Sequence, residues 1–217
     1  MNIDAFILIG GRSSRLGRDK AFVEIGGKPL AVRIADTVKA SLEPSCIKYI
    51  AANSRQFSAD MLKKLGHSVI LDERPGFGAW SGLHAALTYT RNAWIFLTAC
   101  DHPMISQGFL KLMASHITDE HEAVVPRQPD GWLQPLCAFY RVKSTLAAVE
   151  ALLAVGDHLP ALTTFVTGSK TCIVELGEYC DLENSDKFFM NINTAADLVA
   201  LSSSFNAEVA ENAERIE

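Results

Sequence analysis

A chain of 217 residues that is 48% hydrophobic and 21% charged has the composition of a folded globular domain and excludes a disordered or fibrous protein. Its 20 basic and 25 acidic side chains leave a net charge of −5, which excludes an overall positive field for nucleic acid, so an anionic ligand must meet a local cluster of positive charge. No apolar stretch approaches the roughly 20 residues that cross a bilayer, and Cys46, Cys100, Cys137, Cys172 and Cys180 include no CxxC pair, which argues against a disulfide framework or zinc site and for the cytoplasm.

In chain order, the apolar run from Ala5 to Ile9 closes at Gly10-Gly11 and predicts a central strand covered on both faces. Pro29 to Leu42 predicts a helix opened by proline, with Ile34, Val38 and Leu42 on one buried stripe. Strands then follow at Cys46 to Ala51, Ser68 to Leu71, Ala93 to Thr98 and Ala123 to Val125. Helices alternate with them at Gln56 to Leu65, Ser81 to Thr90 and Ser106 to His116. This alternation implies an α/β fold, a Rossmann-like three-layer α/β/α sandwich around a mostly parallel, twisted sheet.

After about residue 126 the rhythm becomes irregular. Trp132 to Tyr140 predicts a strand whose internal proline favours an edge or a bulge. Helical patterns at Ser144 to Ala154 and Pro160 to Val166 precede a strand at Thr171 to Glu175, a short strand near Phe188 to Ile192 and a helix from Thr194 to Ser203. No linker or charge block divides the chain, so residues 1–204 predict a single domain and 205–217 a tail.

The segment from Gly10 to Lys20 holds three glycines, two serines and four basic residues directly after the first strand. In an open α/β sheet such a loop lies over the ligand crevice at the carboxyl ends of the strands. Glycines let backbone N–H groups approach phosphate oxygens, while Arg15 and Lys20 supply positive charge. The dinucleotide fingerprint and the Walker loop both fail here, because no GxGxxG runs into a helix and Gly27-Lys28 is followed by Pro29. Nor does Ser81 sit at the centre of a GxSxG elbow, since Gly78-Ala79-Trp80-Ser81-Gly82 displaces it by one position. His116 and His121 lie five apart without a companion ligand and read as solvated.

Gly10-Gly11, Arg15-Leu16-Gly17 and Asp19-Lys20 together resemble the opening motif of the nucleotidyltransferases that work on the molybdenum cofactor. Matches continue in order through Gly27-Lys28-Pro29-Leu30, Asn53, Asp72, Pro75-Gly76, Gly82, Asp101 in CDHP, Leu133-Gln134-Pro135-Leu136 and Asn191-Ile192-Asn193-Thr194, covering nearly the whole chain. The paired glycines and the FFMNINT segment resemble the guanylyltransferase branch. The resemblance implies transfer of GMP from GTP to the terminal phosphate of molybdopterin, with pyrophosphate released and the guanine dinucleotide cofactor formed. A CTP-dependent sister enzyme, a sugar-phosphate nucleotidyltransferase and a non-catalytic adaptor of the same fold are the alternatives. Residues to about 125 would then bind nucleotide and residues 126–204 the second substrate.

Three positions depart from the pattern: Ile9 replaces a small residue, Ala79-Trp80 replaces Pro-Leu, and Ala195 replaces proline. The first two are expected to reshape the base pocket.

Within this reading Arg15 and Lys20 hold the triphosphate, and Asp101, at the end of a strand, holds magnesium as a hard oxygen ligand. Leu8, Ile9, Gly10 and Gly11 would offer backbone groups to the nucleotide, and the resemblance puts Asn53 and Asp72 near base or ribose. For molybdopterin the candidates are Gln134, Asn191 and Asn193, whose amides suit a pterin edge and equally suit capping of turns. His102 has no proton to remove from an attacking phosphate that is already anionic. Proteins that deliver or receive the cofactor are the only further partners implied, with no nucleic acid or membrane among them.

Overall fold

The computed structural model describes residues 2–10, 19–52, 57–74, 76–156, 159–192 and 197–198. Its elements run β1 (Ile3–Leu8), β2 (Glu24–Ile25), β3 (Lys28–Pro29), α1 (Leu30–Leu42), β4 (Cys46–Ala51), α2 (Ala59–Lys64), β5 (Val69–Leu71), α3 (Ala79–Tyr89), β6 (Trp94–Ala99), α4 (Gln107–Ser115), β7 (Ala123–Pro126), β8 (Cys137–Arg141), α5 (Val142–Val155), α6 (Leu162–Thr167), β9 (Thr171–Val174) and α7 (Leu176–Tyr179).

Seven strands form one sheet in the order β5-β4-β1-β6-β8-β7-β9, and β2 pairs with β3 in a separate hairpin. The pairs β1–β4, β1–β6, β4–β5 and β7–β9 are parallel. Strand β8 is antiparallel to both its neighbours, so it alone runs against the other six. The expected mostly parallel α/β sandwich is therefore the fold observed.

Alternating residues of the central strands divide the core into two layers. In β1, Ile3, Ala5 and Ile7 face α1 and α4, while Phe6 faces α3 and α5. In β6, Trp94 and Phe96 join the first layer, and Ile95 and Leu97 the second. Both faces being covered explains why these strands read as continuous apolar runs. The stripe predicted in α1 is the buried face of that helix, with Ile34 and Val38 in the core and Leu42 packed against it.

Two strand expectations do not hold. Residues 132–140 were expected as one strand with a proline at an edge or bulge, but the strand begins at Cys137, in the interior of the sheet. Pro135 precedes it in a turn, where its missing N–H is not required by the ladder. The segment expected as a strand from Phe188 to Ile192 contains a turn after a short helical turn at Ser185–Lys187. Consecutive strand residues point to opposite faces, yet Phe188 and Phe189 are both buried against Phe109, with ring centroids 5.0 and 5.7 Å away. The expected helix from Thr194, apart from residues 197–198, and the tail lie outside the described residues. No helix among the described residues is long and apolar enough to cross a membrane.

Candidate nucleotide site

The carboxyl ends of β1, β4, β5 and β6 open onto a cleft of about 660 Å³. Its walls include Leu8, Gly10, Lys20, Asp72, Gly82 and Asp101, to which Ile9, Asp19, Ala52 and Leu136 add. The sequence candidates Gly11, Arg15, Asn53 and Asn193 lie outside the described residues, as does most of the glycine- and arginine-rich loop.

Lys20 enters the cleft from the short helical turn Lys20–Phe22, whose start Asp19 caps by accepting from the Ala21 N–H at 3.2 Å. Its Nζ stands 3.4 Å from Asp101 Oδ2 on the loop after β6. The two side chains keep 20% and 25% of their exposure, so both reach solvent in the cleft. A cation and a carboxylate thus share one edge of the sheet.

The loop of Asp101 is held by its neighbours. Cys100 N–H donates to the Leu8 carbonyl at 3.1 Å, tying the ends of β1 and β6 together. Burial pushes the Cys100 thiol far above the usual thiol range, which removes it as a nucleophile at neutral pH. His102 is 2% exposed and sits edge-on to Phe189, with ring centroids 5.9 Å apart. Burial lowers its pKa, an effect that outweighs the neighbouring Asp101 carboxylate.

The backbone of Leu8 and Ile9 is tied to the neighbouring strands. The Leu8 carbonyl already accepts from Cys100, and the Ile9 N–H donates to the Ile50 carbonyl at 2.9 Å. Asp72 lines the opposite wall and accepts from the Arg74 N–H at 2.9 Å.

The roof of the cleft is the start of α3. Gly78 caps it at φ +60, a backbone setting that favours glycine, and Gly82 follows one turn later. A Cβ on Gly82 would stand 2.5 Å from Leu8 Cδ2, so a larger residue here requires the Leu8 side chain to shift. Ser81 is a staple: its Oγ donates to the Arg74 carbonyl at 2.5 Å and accepts from the Phe77 N–H at 3.2 Å. These contacts hold the loop that carries Asp72, and they account for a buried serine without any nucleophilic role.

Trp80 does not line this cleft, contrary to the expectation that it reshapes the base pocket. Its indole Nε1–H donates to the Pro160 carbonyl at 2.9 Å, and its ring packs edge-on to Phe165 at 5.1 Å. It belongs to an adjoining groove of about 680 Å³ that shares Gly76, Gly78, Ala79 and Leu136 with the cleft. Ile9, by contrast, does line the cleft.

Gln134 borders that groove, with its side-chain carbonyl accepting from the Leu136 N–H at 3.2 Å, so part of the amide caps a turn. Asn191 is exposed next to Ile192, which packs with Val23, Leu30 and Met104 beside the segments that carry Lys20 and Asp101. Asn191 is not among the residues that line the cleft, and Gln134 stands on the α3 side. His116 is not simply solvated: its Nε2 lies 3.1 Å from Glu178 Oε2, and its Nδ1 lies 3.7 Å from Cys172 Sγ.

Sequence reasoning missed Asp19, Ala52, Gly78 and Leu136 as cleft walls. Asp19 and Leu136 were legible in the motifs that contain them, whereas Ala52 has no chemical mark of its own. Among the described residues no three His, Cys, Asp or Glu side chains converge to hold a metal.

Residues 5–163 match the MobA-like NTP transferase domain. The chain is 33% identical over 157 residues to the molybdenum cofactor guanylyltransferase of Desulfosudis oleivorans, covering 71% of this chain and 72% of that one. It is 31% identical over 201 residues to the "probable molybdenum cofactor guanylyltransferase" of Deinococcus radiodurans, covering 92% and 94%. In fold it is similar to molybdopterin-guanine dinucleotide biosynthesis protein A from Archaeoglobus fulgidus, with a TM-score of 0.71 at 20% identity over 94% of this chain and 99% of that one.

Proposed function

This chain belongs to the MobA-like NTP transferase family, and from that premise we propose that it transfers GMP from GTP to the terminal phosphate of molybdopterin. In this reaction an oxygen of the terminal phosphate attacks the α-phosphorus in line. The bond from that phosphorus to the bridging β-phosphate oxygen breaks, and pyrophosphate leaves with its electron pair. The observation that carries the reading is the meeting of Lys20 and Asp101 at 3.4 Å in the cleft. The names of the relatives, at about a third identity, support guanine as the base and molybdopterin as the acceptor.

Phosphoryl chemistry of this type depends on positioning and on stabilising charge. Lys20, Arg15 and the amides of Gly10 and Gly11 are assigned to the triphosphate. Asp101 is assigned to magnesium. A partly exposed carboxylate on a cleft, without a cage of further ligands among the described residues, suits an ion that takes one or two carboxylates plus phosphates and water. When bound, the ion supplies positive charge to the phosphates. Asn53 and Asp72 are assigned to base or ribose, and Gln134, Asn191 and Asn193 to the pterin. Residues to about 125 thus serve the nucleotide and the later part the acceptor. Five free cysteines are in keeping with a reaction in the cytoplasm.

Binding of GTP, CTP, ATP and UTP to the purified chain tests the base, and single-turnover pyrophosphate release with GTP, magnesium and molybdopterin tests the reaction. GTP is expected to bind best and to release one pyrophosphate per site. Tight GTP binding without pyrophosphate would establish a non-catalytic adaptor instead.

A further inference from the structure

We infer that His102 is a positioning residue: its Nε2 faces one oxygen of Asp101 from behind and is placed to hold it once the site is occupied, so that the other oxygen is presented to the cleft. The inference rests on the assignment of Asp101 to the metal made above.

The two oxygens of Asp101 have different surroundings. Oδ2 faces Lys20, whereas Oδ1 is buried and has no hydrogen-bond partner among the described residues. His102 Nε2 lies 3.8 Å from that Oδ1. The imidazole itself is buried, and its Nδ1 also has no hydrogen-bond partner among the described residues.

A neutral imidazole carries one N–H, on either nitrogen. A proton on Nδ1 would leave a buried donor without an acceptor, and the Asp101 oxygen without a donor. A proton on Nε2 points at the oxygen that lacks one. Burial therefore selects the Nε2–H tautomer, because a buried polar group left unpaired is costly. At 3.8 Å the contact is longer than a hydrogen bond. Closing it takes a shift of about 1 Å, and contacts at catalytic sites commonly tighten when the ligand arrives. Phe189 backs the ring from the side, and Phe189 is in turn packed on Phe109 and Tyr179, so the imidazole stands on a rigid aromatic base.

Groups that orient a metal-binding carboxylate typically change metal affinity or activity by about 10–100-fold when removed. His102→Phe keeps an aromatic ring against Phe189 but removes the donor. Binding of Mn²⁺ to the GTP complex, followed by electron paramagnetic resonance, is expected to weaken by at least about tenfold. The KM for GTP should change less than kcat, and His102→Gln, which restores an N–H, should recover part of both losses. A folded His102→Phe chain with wild-type Mn²⁺ affinity would overturn the inference while leaving the enzyme assignment in place. If the wild-type GTP complex itself binds no Mn²⁺, the assignment of Asp101 falls, and the inference with it. Should His102→Phe fail to fold, the ¹⁵N shifts of His102 in the wild-type chain decide: the Nε2–H tautomer supports the inference and the Nδ1–H tautomer overturns it.

Discussion

Asp101 and Lys20 are 81 positions apart in the chain and 3.4 Å apart in space. Each is unremarkable alone; together they place a positive and a negative group in one cleft, the pairing on which the proposed metal and triphosphate roles rest. Asp101→Ala is expected to abolish pyrophosphate release while leaving the melting temperature close to that of the parent, because the carboxylate is partly exposed and belongs to a loop. Turnover retained by this variant would refute the metal role. Lys20→Ala should reduce transition-state stabilisation by about 3–4 kcal/mol, in the range found when a preorganised charge-stabilising donor is lost. Its binding of GTP should weaken more than its binding of GMP, and equal losses would count against contact with the β- and γ-phosphates. Gly82→Ala tests a steric claim: with Leu8 Cδ2 2.5 Å from the added carbon, something must shift. Overpacking of this kind costs about 1–3 kcal/mol, measurable by urea denaturation, and displacement of the cleft floor should raise the Kd for GTP as well.

At the scale of elements, the start of α3 shows how a departure from a family pattern can be structural. Trp80 occupies a position expected to shape base selection, yet its indole is turned to the loop before α6 and hydrogen-bonds the Pro160 carbonyl. Trp80→Phe retains an aromatic ring near Phe165 and loses only the N–H. Stability should fall by about 1 kcal/mol, the net worth of one such bond, and the ratio of GTP to CTP affinity should stay unchanged. A changed ratio would return Trp80 to the base pocket. The aromatic group of Phe109, Tyr179, Phe188 and Phe189 plays a corresponding part on the other face. It fastens the segment before Asn191 to α4, which explains why two adjacent phenylalanines are held in a turn instead of being split between the faces of a strand.

For the whole molecule, a net charge of −5 means that the proposed substrate GTP would have to be attracted by a local site against the average field of the chain. Binding should therefore be visible as stabilisation of the entire fold. GTP at about 100 times its Kd adds about 2.7 kcal/mol to stability, which for a domain of this size corresponds to a rise in Tm of about 5–10 °C. Differential scanning fluorimetry with magnesium should show that shift for GTP and a smaller one for CTP, and chelation of the metal should reduce it. No shift with any nucleoside triphosphate would contradict the nucleotide site.

The amino-acid sequence by itself determined the α/β class and most of the strand and helix positions up to residue 126. Strands covered on both faces leave uninterrupted apolar runs, and the helices between them leave a regular stripe. It also marked Lys20, at the end of a glycine- and arginine-rich loop, and Asp72 and Asp101, because charged residues directly after apolar strands fall at one edge of a parallel sheet. Only the tertiary structure decided which of these meet. The direction of β8, the turn at Phe188-Phe189, the side of α3 on which Trp80 lies and the seat of His102 behind Asp101 all depend on contacts between segments far apart in the chain. Such contacts are chosen by packing and by the pairing of buried polar groups, neither of which has a local period for a sequence to display.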